Sequence, residues 1–276
     1  MKITSKYLKS FSNFNFKKSF SDTVVKVDYS DVMSAKSKKI EEIIDKAFGR
    51  NSLGLVILKN VPEIKKIKDV VLDSGLSLIN MPESDKADFT EEKIKDYLGW
   101  KERDVTWNDK VDKFVGEFSA RTNNETVFYP ADPKVEEKFL NVWPKNIPNF
   151  QKKFIELGKK VGKIQSSMLN HIDNYLTNFI KIDNKNRLKN IVNHHDLFAM
   201  LLCYKPPKKL ISEWINMHRD NGFITGLVHP NYYNIETKER IDQSSSLQIK
   251  DRNGNFHFMN YSHDEIVLQK VELCTL

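Results

Sequence analysis

The spacing of apolar residues changes character along the chain. Thr23-Val24-Val25-Lys26-Val27-Asp28-Tyr29 predicts a first strand. Residues 35–48 predict a helix, because Ile40, Ile43, Ile44 and Phe48 fall on one stripe of a 3.6-residue period. Gly54-Leu55-Val56-Ile57-Leu58 is short and wholly apolar, the pattern of a strand buried on both faces, and Asn60-Val61-Pro62 ends it. Residues 63–74 predict a second helix stopped near Gly75, and the charged run from Glu63 to Asp69 reads as its polar face. Residues 84–147 read as irregular and polar, with islands of Trp and Phe. Phe150, Phe154, Leu157, Val161, Ile164, Met168, Ile172 and Leu176 then recur at three- and four-residue spacing and predict one long amphipathic helix over 149–180, framed by Pro144 and Pro148.

After residue 195 the period shortens to that of strands. His195 to Tyr204 runs into Lys205-Pro206-Pro207. Strand-like runs follow at 214–217, 222–228, 247–250, 256–259 and 265–269, with turn signals such as Asp251-Arg252-Asn253-Gly254 between them. Several short strands at this spacing indicate a sandwich or jelly roll. Helices first and strands afterwards make the class α+β. The organisation read from this is a segment 1–22, an N-terminal region 23–148, a scaffold helix 149–180 and a strand-rich region 195–276.

Composition narrows the function classes. Hydrophobic residues make up 39% of 276 and aromatics 11%, enough for a packed core. The net charge is +7, but 44 Lys and Arg are scattered among 37 Asp and Glu, so no basic patch points to nucleic acid. Cys203 and Cys274 make neither a disulfide framework nor a spaced metal cluster, and Cys203, in an apolar run, reads as a small core residue. Cysteine usage suits a reducing compartment, and the expected location is the cytoplasm. The basic, Ser-containing segment 1–22 is a solvated arm or, alternatively, an organellar targeting segment. No apolar run approaches the ~20 residues that span a bilayer.

The sharpest chemical signal is His218-Arg219-Asp220 between two strand-like runs. Residues i and i+2 of an extended segment point the same way, so one imidazole nitrogen and one carboxylate can reach the same ion. Two His and one carboxylate on one face of an octahedron is the ligand set of non-haem Fe(II) oxygenases. A bare His-x-Asp is weak; its context carries more. Tyr204, Pro206, Pro207 and Trp214 precede it, Asn221 to Leu227 follow directly, and Leu247-Gln248-Ile249-Lys250-Asp251-Arg252-Asn253-Gly254 lies downstream.

That order resembles the isopenicillin N synthase-like non-haem Fe(II)/2-oxoglutarate-dependent dioxygenases: Tyr-x-Pro-Pro, His-x-Asp with a following Leu/Ile-Thr, then Leu-Gln-Val/Ile and an Asp-x-x-Gly turn. Gly54 to Pro62 is similar to the family's N-terminal strand and turn, and Asn141-Val142-Trp143-Pro144 to its Asn-x-Trp-Pro before the long helix. The resemblance spans most of 25–276. It implies an N-terminal helix and strand region and a long helix packed on a double-stranded β-helix (jelly roll). It also implies Fe(II) held by His218 and Asp220, 2-oxoglutarate as cosubstrate with Tyr204 near its carboxylate or that of the substrate, O2, and an oxidised small molecule. Tyr204 reads equally well as a barrel-lining core aromatic.

The family's third ligand, a distal histidine, and its Arg-x-Ser grip on 2-oxoglutarate are expected about ten or more residues beyond Leu276, so the expectation is a jelly roll with its last strands missing and two ligands of three. His229 in a loop, His257 on a strand and His263 in a polar turn do not match the third position, His194 and His195 point to opposite faces, and His171 reads as structural. An open jelly roll would leave unpaired edges and apolar interior facing water, so the expected chain is marginally stable, aggregation-prone or completed by a partner. Three readings follow: an active or formerly active 2-oxoglutarate dioxygenase, represented by an incomplete chain; a non-catalytic protein that keeps the fold for binding or interaction; and a basic nucleic-acid-binding protein with a coincidental His-x-Asp.

Overall fold

A computed structural model describes residues 24–34, 37–90, 98–107, 110–122, 126–128, 138–178, 181, 188, 190, 197–205, 220, 222–234, 236–243 and 247–270. In chain order these form β1 (Lys26–Asp28), α1 (Tyr29–Met33), α2 (Lys38–Phe48), β2 (Leu55–Lys59), α3 (Ile64–Asn80) and a short α4 (Glu83–Lys86). A hairpin of β3 (Gly99–Trp107) and β4 (Lys110–Arg121) follows, then β5 (Thr126–Phe128), β6 (Lys138–Leu140) and α5 (Phe150–Asn178). The last part holds β7 (Phe198–Tyr204), β8 (Ile224–Val228), β9 (Tyr232–Tyr233), β10 (Arg240–Ile241), β11 (Gln248–Lys250), β12 (Phe256–Phe258) and β13 (Ile266–Lys270).

Two sheets share α5 as their backing. The four-stranded sheet runs β1-β2-β13-β8, with β1 parallel to β2 and β13 antiparallel to both its neighbours. Val267 is its centre, opposite Ile57 on one side and Leu227 on the other. Alternation sorts the sheet's side chains between two cores. Val56, Leu58, Ile266 and Leu268 pack with Ile164, Met168, Leu169 and Ile172 of α5 and with Ile40 and Ile44 of α2. Leu55, Ile57 and Val267 pack on the other face with Met259, Tyr261, Leu227, Leu247 and Ile249. The expectation of a strand buried on both faces at 54–58 is therefore met. Each such fully buried aliphatic side chain stabilises the fold by about 1.5–3 kcal/mol.

The second sheet runs β3-β4-β7, antiparallel throughout. One of its faces, with Trp100, Phe118, Ala120, Leu201 and Cys203, packs on Phe150 and Phe154 of α5 and on Val71 and Leu78 of α3. Phe118 meets Phe150 edge-on at 5.0 Å, Phe154 edge-on at 5.4 Å and Trp143 at 5.5 Å. Asn141 fixes the approach to α5: its amide donates to Arg121 O at 2.9 Å and accepts from Arg121 N at 3.0 Å, extending the edge of β4 as a strand would. Asn141-Val142-Trp143-Pro144 thus couples a backbone clamp to an aromatic anchor.

Several expectations need correction. The stretch 84–147 is not irregular: it carries the β3–β4 hairpin, which supplies one edge strand and the central strand of the second sheet. Its strands were obscured because β4 is buried on both faces over 115–120, and one of those faces is polar, with Glu117 and Ser119. Gly75 does not stop α3, which continues to Asn80. A Cβ at Gly75 would lie 2.8 Å from Cys203 Sγ, so the glycine is there to let β7 approach the helix. Lys68 does not lie on a solvated helix face; it is 0% exposed. Residues 214–217, His194 and His195 lie outside the described residues. Among the described residues no helix is long and apolar enough to cross a membrane.

Candidate metal centre

β7 ends at Tyr204, in the three-stranded sheet, and β8 begins at Ile224, in the four-stranded one. The chain between them carries His218-Arg219-Asp220 and passes from one sheet to the other. Asp220 is half-buried, four residues ahead of β8. His218 lies outside the described residues. Gly222 follows at φ +142°, a conformation that side-chain-bearing residues rarely adopt, with open space where a Cβ would sit. The turn out of Asp220 therefore requires glycine for its backbone, not for lack of room.

The head of β8 is held firmly. Gln165 Nε2 on α5 donates to Ile224 O at 3.0 Å. At Gly226 a Cβ would run into Val161 Cγ1, so helix and strand touch through a missing side chain. The Thr225-Gly226-Leu227 sequence is explained by this: Gly226 faces the helix, while Thr225 and Leu227 face away. Thr225 is opposite Gln269, and Leu227 opposite Val267, so the face turned from α5 is polar at the end near Asp220 and apolar beyond it.

Tyr204 is half-buried and shares a face with Leu202, Met200 and Phe198, opposite to the Leu201 and Cys203 face that packs on the helices. Three of these are unusually open for apolar side chains: Phe198 is 40% exposed, Met200 43% and Leu202 39%. Across the ladder the same face carries Glu117 opposite Leu202 and Ser119 opposite Met200. Glu117 is 1% exposed; its Oε1 accepts from Ser119 Oγ at 2.8 Å and lies 3.4 Å from Lys101 Nζ. This buried polar wall was not anticipated, although the alternation Glu117-Phe118-Ser119-Ala120 contains the signal.

Asp220 offers a hard oxygen donor of the kind Fe(II) accepts together with imidazole nitrogen. The other described histidines are engaged elsewhere. His229 follows Val228, at the end of β8 remote from Asp220, and bonds through Nδ1 to Pro230 O at 2.7 Å. His257 Nε2 is 2.9 Å from Asp251 Oδ2. His263 Nδ1 is 3.1 Å from Lys68 Nζ. His171, buried on α5, contacts Val32 O at 3.0 Å. Among the described residues no group of three His, Cys, Asp or Glu is placed to hold a metal ion. Cys203 is no nucleophile: burial pushes its thiol up to about 12, and it behaves as a small apolar residue.

Neither a protein-family model nor a curated protein sequence matches the chain significantly. Solved structures do match. A protein from Caulobacter crescentus assigned to the 2OG-Fe(II) oxygenase family superposes with a TM-score of 0.63 at 19% identity, over 90% of this chain and 73% of that one. A full-length Neurospora crassa protein in complex with alpha-KG gives 0.63 at 16% identity, over 92% and 75%. JOX2 in complex with 2OG, Fe and JA gives 0.59 at 12% identity, over 96% and 72%. The fold is that of the 2OG-Fe(II) oxygenases. In that fold the mixed helix and sheet layers described above form the jelly-roll type of architecture expected from the strand spacing. At these identities the 2OG-Fe(II) oxygenase likeness concerns backbone architecture alone.

Proposed function

We propose that the chain is an Fe(II)- and 2-oxoglutarate-dependent oxidoreductase of the isopenicillin N synthase-like kind, acting on a small molecule. The observation that carries this reading is the position of Asp220, at the crossing between the two sheets of a 2OG-Fe(II) oxygenase fold and directly ahead of a rigidly held strand. His218 and Asp220 would hold the metal through one imidazole nitrogen and one carboxylate oxygen. Fe(II) there supplies oxygen activation coupled to conversion of 2-oxoglutarate to succinate and carbon dioxide. Tyr204 would donate its phenol to a carboxylate of 2-oxoglutarate or substrate. Phe198, Met200 and Leu202, exposed on the same face, would offer apolar surface to the substrate beside Tyr204. The matched Neurospora crassa and JOX2 structures hold alpha-KG and 2OG respectively, which supports the cosubstrate assignment by analogy of fold.

The test is conversion of 2-oxoglutarate to succinate under Fe(II) and O2, in the wild type and in Asp220→Ala. The expected result is turnover that the substitution abolishes; full turnover in Asp220→Ala would show the ligand assignment to be wrong. The placement of His229, His257 and His263, each bonded away from Asp220, favours a second reading. On it the protein is a non-catalytic dioxygenase-fold module that binds rather than oxidises. It predicts no succinate from the wild type and only weak iron binding.

A further inference from the structure

The end of β8 remote from Asp220 holds a second assembly of chemically active groups. Lys68 on α3 is wholly buried, and its ammonium donates to Asp69 Oδ1 at 2.9 Å and Asn231 Oδ1 at 3.1 Å and meets His263 Nδ1 at 3.1 Å. His263 packs against His229 with centroids 4.0 Å apart and ring planes tilted by 46°, and His229 in turn meets Tyr261 edge-on at 5.4 Å. Asn231 donates to Asp69 and Asp73, Arg240 bonds Asp69 at 2.9 Å and Asp73 at 2.6 Å, and Tyr233 donates to Asp73. These bonds tie α3 to the loop after β8, to β10, and to the loop before β13.

The proton inventory of this assembly is constrained. A lysine ammonium has only donors, so Nδ1 of His263 must be an unprotonated acceptor and its proton must sit on Nε2. His229 Nδ1 donates to Pro230 O, so in the neutral ring Nε2 is the unprotonated nitrogen. In their neutral forms the two imidazoles pack at a tilt beside Lys68, whose own ammonium burial pushes below its ordinary range against the bond to Asp69. We propose that Lys68, His263 and His229 form an acid-opened latch: the neutral imidazole pair lets α3 close on the loops at 229–233 and 261–265, and protonation of that pair opposes Lys68 and releases them.

Lys65, Lys68 and Asp69 on α3 and Asp242 just after β10 act on the pair, and Tyr261 packs on His229. Asp73 on α3, Tyr233 on β9 and Arg240 on β10 belong to the bonded network around them, and Asp264 and Glu265 beside His263 bond Ser262. Burial, then Lys68, His229 and Lys65, against Asp69, hold His263 below its ordinary range. Burial and Lys68, against the Pro230 bond, Asp242 and Asp69, do the same for His229. A histidine depressed in the folded state is neutral there while the unfolded chain already takes up the proton. The latch's contribution is therefore complete above the unfolded value of about 6.5 and is lost as pH falls below it toward the folded value.

The experiment is the pH dependence of Tm for the full chain and for His263→Gln, whose side-chain oxygen can still accept from Lys68 but cannot titrate. We expect the wild-type Tm to fall by about 2–4 °C or more between about pH 7 and pH 5, and His263→Gln to remove at least half of that fall while keeping a near wild-type Tm at pH 7. An unchanged pH dependence in the variant overturns the proposal. A proton NMR titration of the wild-type imidazoles decides the matter if the variant folds poorly. A His263 midpoint below about 6.5 supports the latch, and one at or above that value overturns it.

Discussion

The two ends of β8 are built on opposite plans. At the Ile224 end a half-buried carboxylate, Asp220, sits at the crossing between sheets, next to a glycine with open space around it and a polar Thr225–Gln269 pair. At the Val228 end Lys68, Asp69, Asp73, Asn231, Tyr233, Arg240 and His263 bond one another, with His229 packed on His263. The first arrangement places a carboxylate where two sheets part and room remains beside the turn. The second commits its polar groups to tying α3 onto the loops and closes the fold. Titratable residues alone do not mark a site; where they stand in the fold, and what surrounds them, separates a ligand position from a structural network.

If this contrast is right, substitutions at the closed end lower stability most. Lys68→Ala removes the cation that helps satisfy Asp69, Asn231 and His263, and should cost about 2–3 kcal/mol; Asp69 stays partly solvated and keeps Arg240, which places the loss at the low end for a broken buried pair. Denaturant midpoints measure it. Gly226→Ala, on β8 itself, forces a methyl against Val161 and should cost about 1–3 kcal/mol in the same assay, with a matching loss of metal binding as the strand head shifts. Gly222→Ala meets no neighbour, so its cost is the backbone conformation alone, about 1–2 kcal/mol. Acid sharpens the difference at the closed end. Burial alone would raise the Asp69 carboxyl, but its bonds to Lys68 and Arg240 outweigh that and lower it to about 2. Its stabilisation is complete above about pH 4 and disappears as pH falls toward 2, below the window in which the histidines act.

What could be read from the sequence, and what stayed hidden, follows the same physics. The long helix was legible because a single stripe from Phe150 to Leu176 repeats at helical spacing, and it was found at Phe150–Asn178. β2 and β13 were legible as unbroken apolar runs, since each is buried on both faces. The β3–β4 hairpin was not, because its second face is buried by polar pairing rather than by apolar residues, as Glu117 with Ser119 and Lys101 shows. Lys68 was misread for a similar reason: a charged residue in a run of lysines is ordinarily solvated, and only partners 163 and 195 residues away in sequence explain its burial. At the site, the motif order singled out His218, Asp220 and Tyr204. No local pattern reveals that Tyr204 and Asp220 flank the passage between two sheets, or that Phe198, Met200 and Leu202 on the Tyr204 face stay open, because both depend on which strands pair at long range.

The most direct test of the account is anaerobic Fe(II) titration of the 276-residue chain in the presence of 2-oxoglutarate, comparing wild type with His218→Ala and Asp220→Ala. The account predicts that each variant binds Fe(II) at least about tenfold more weakly than the wild type. Equal affinity in all three proteins would contradict it and would place any metal site of this chain elsewhere.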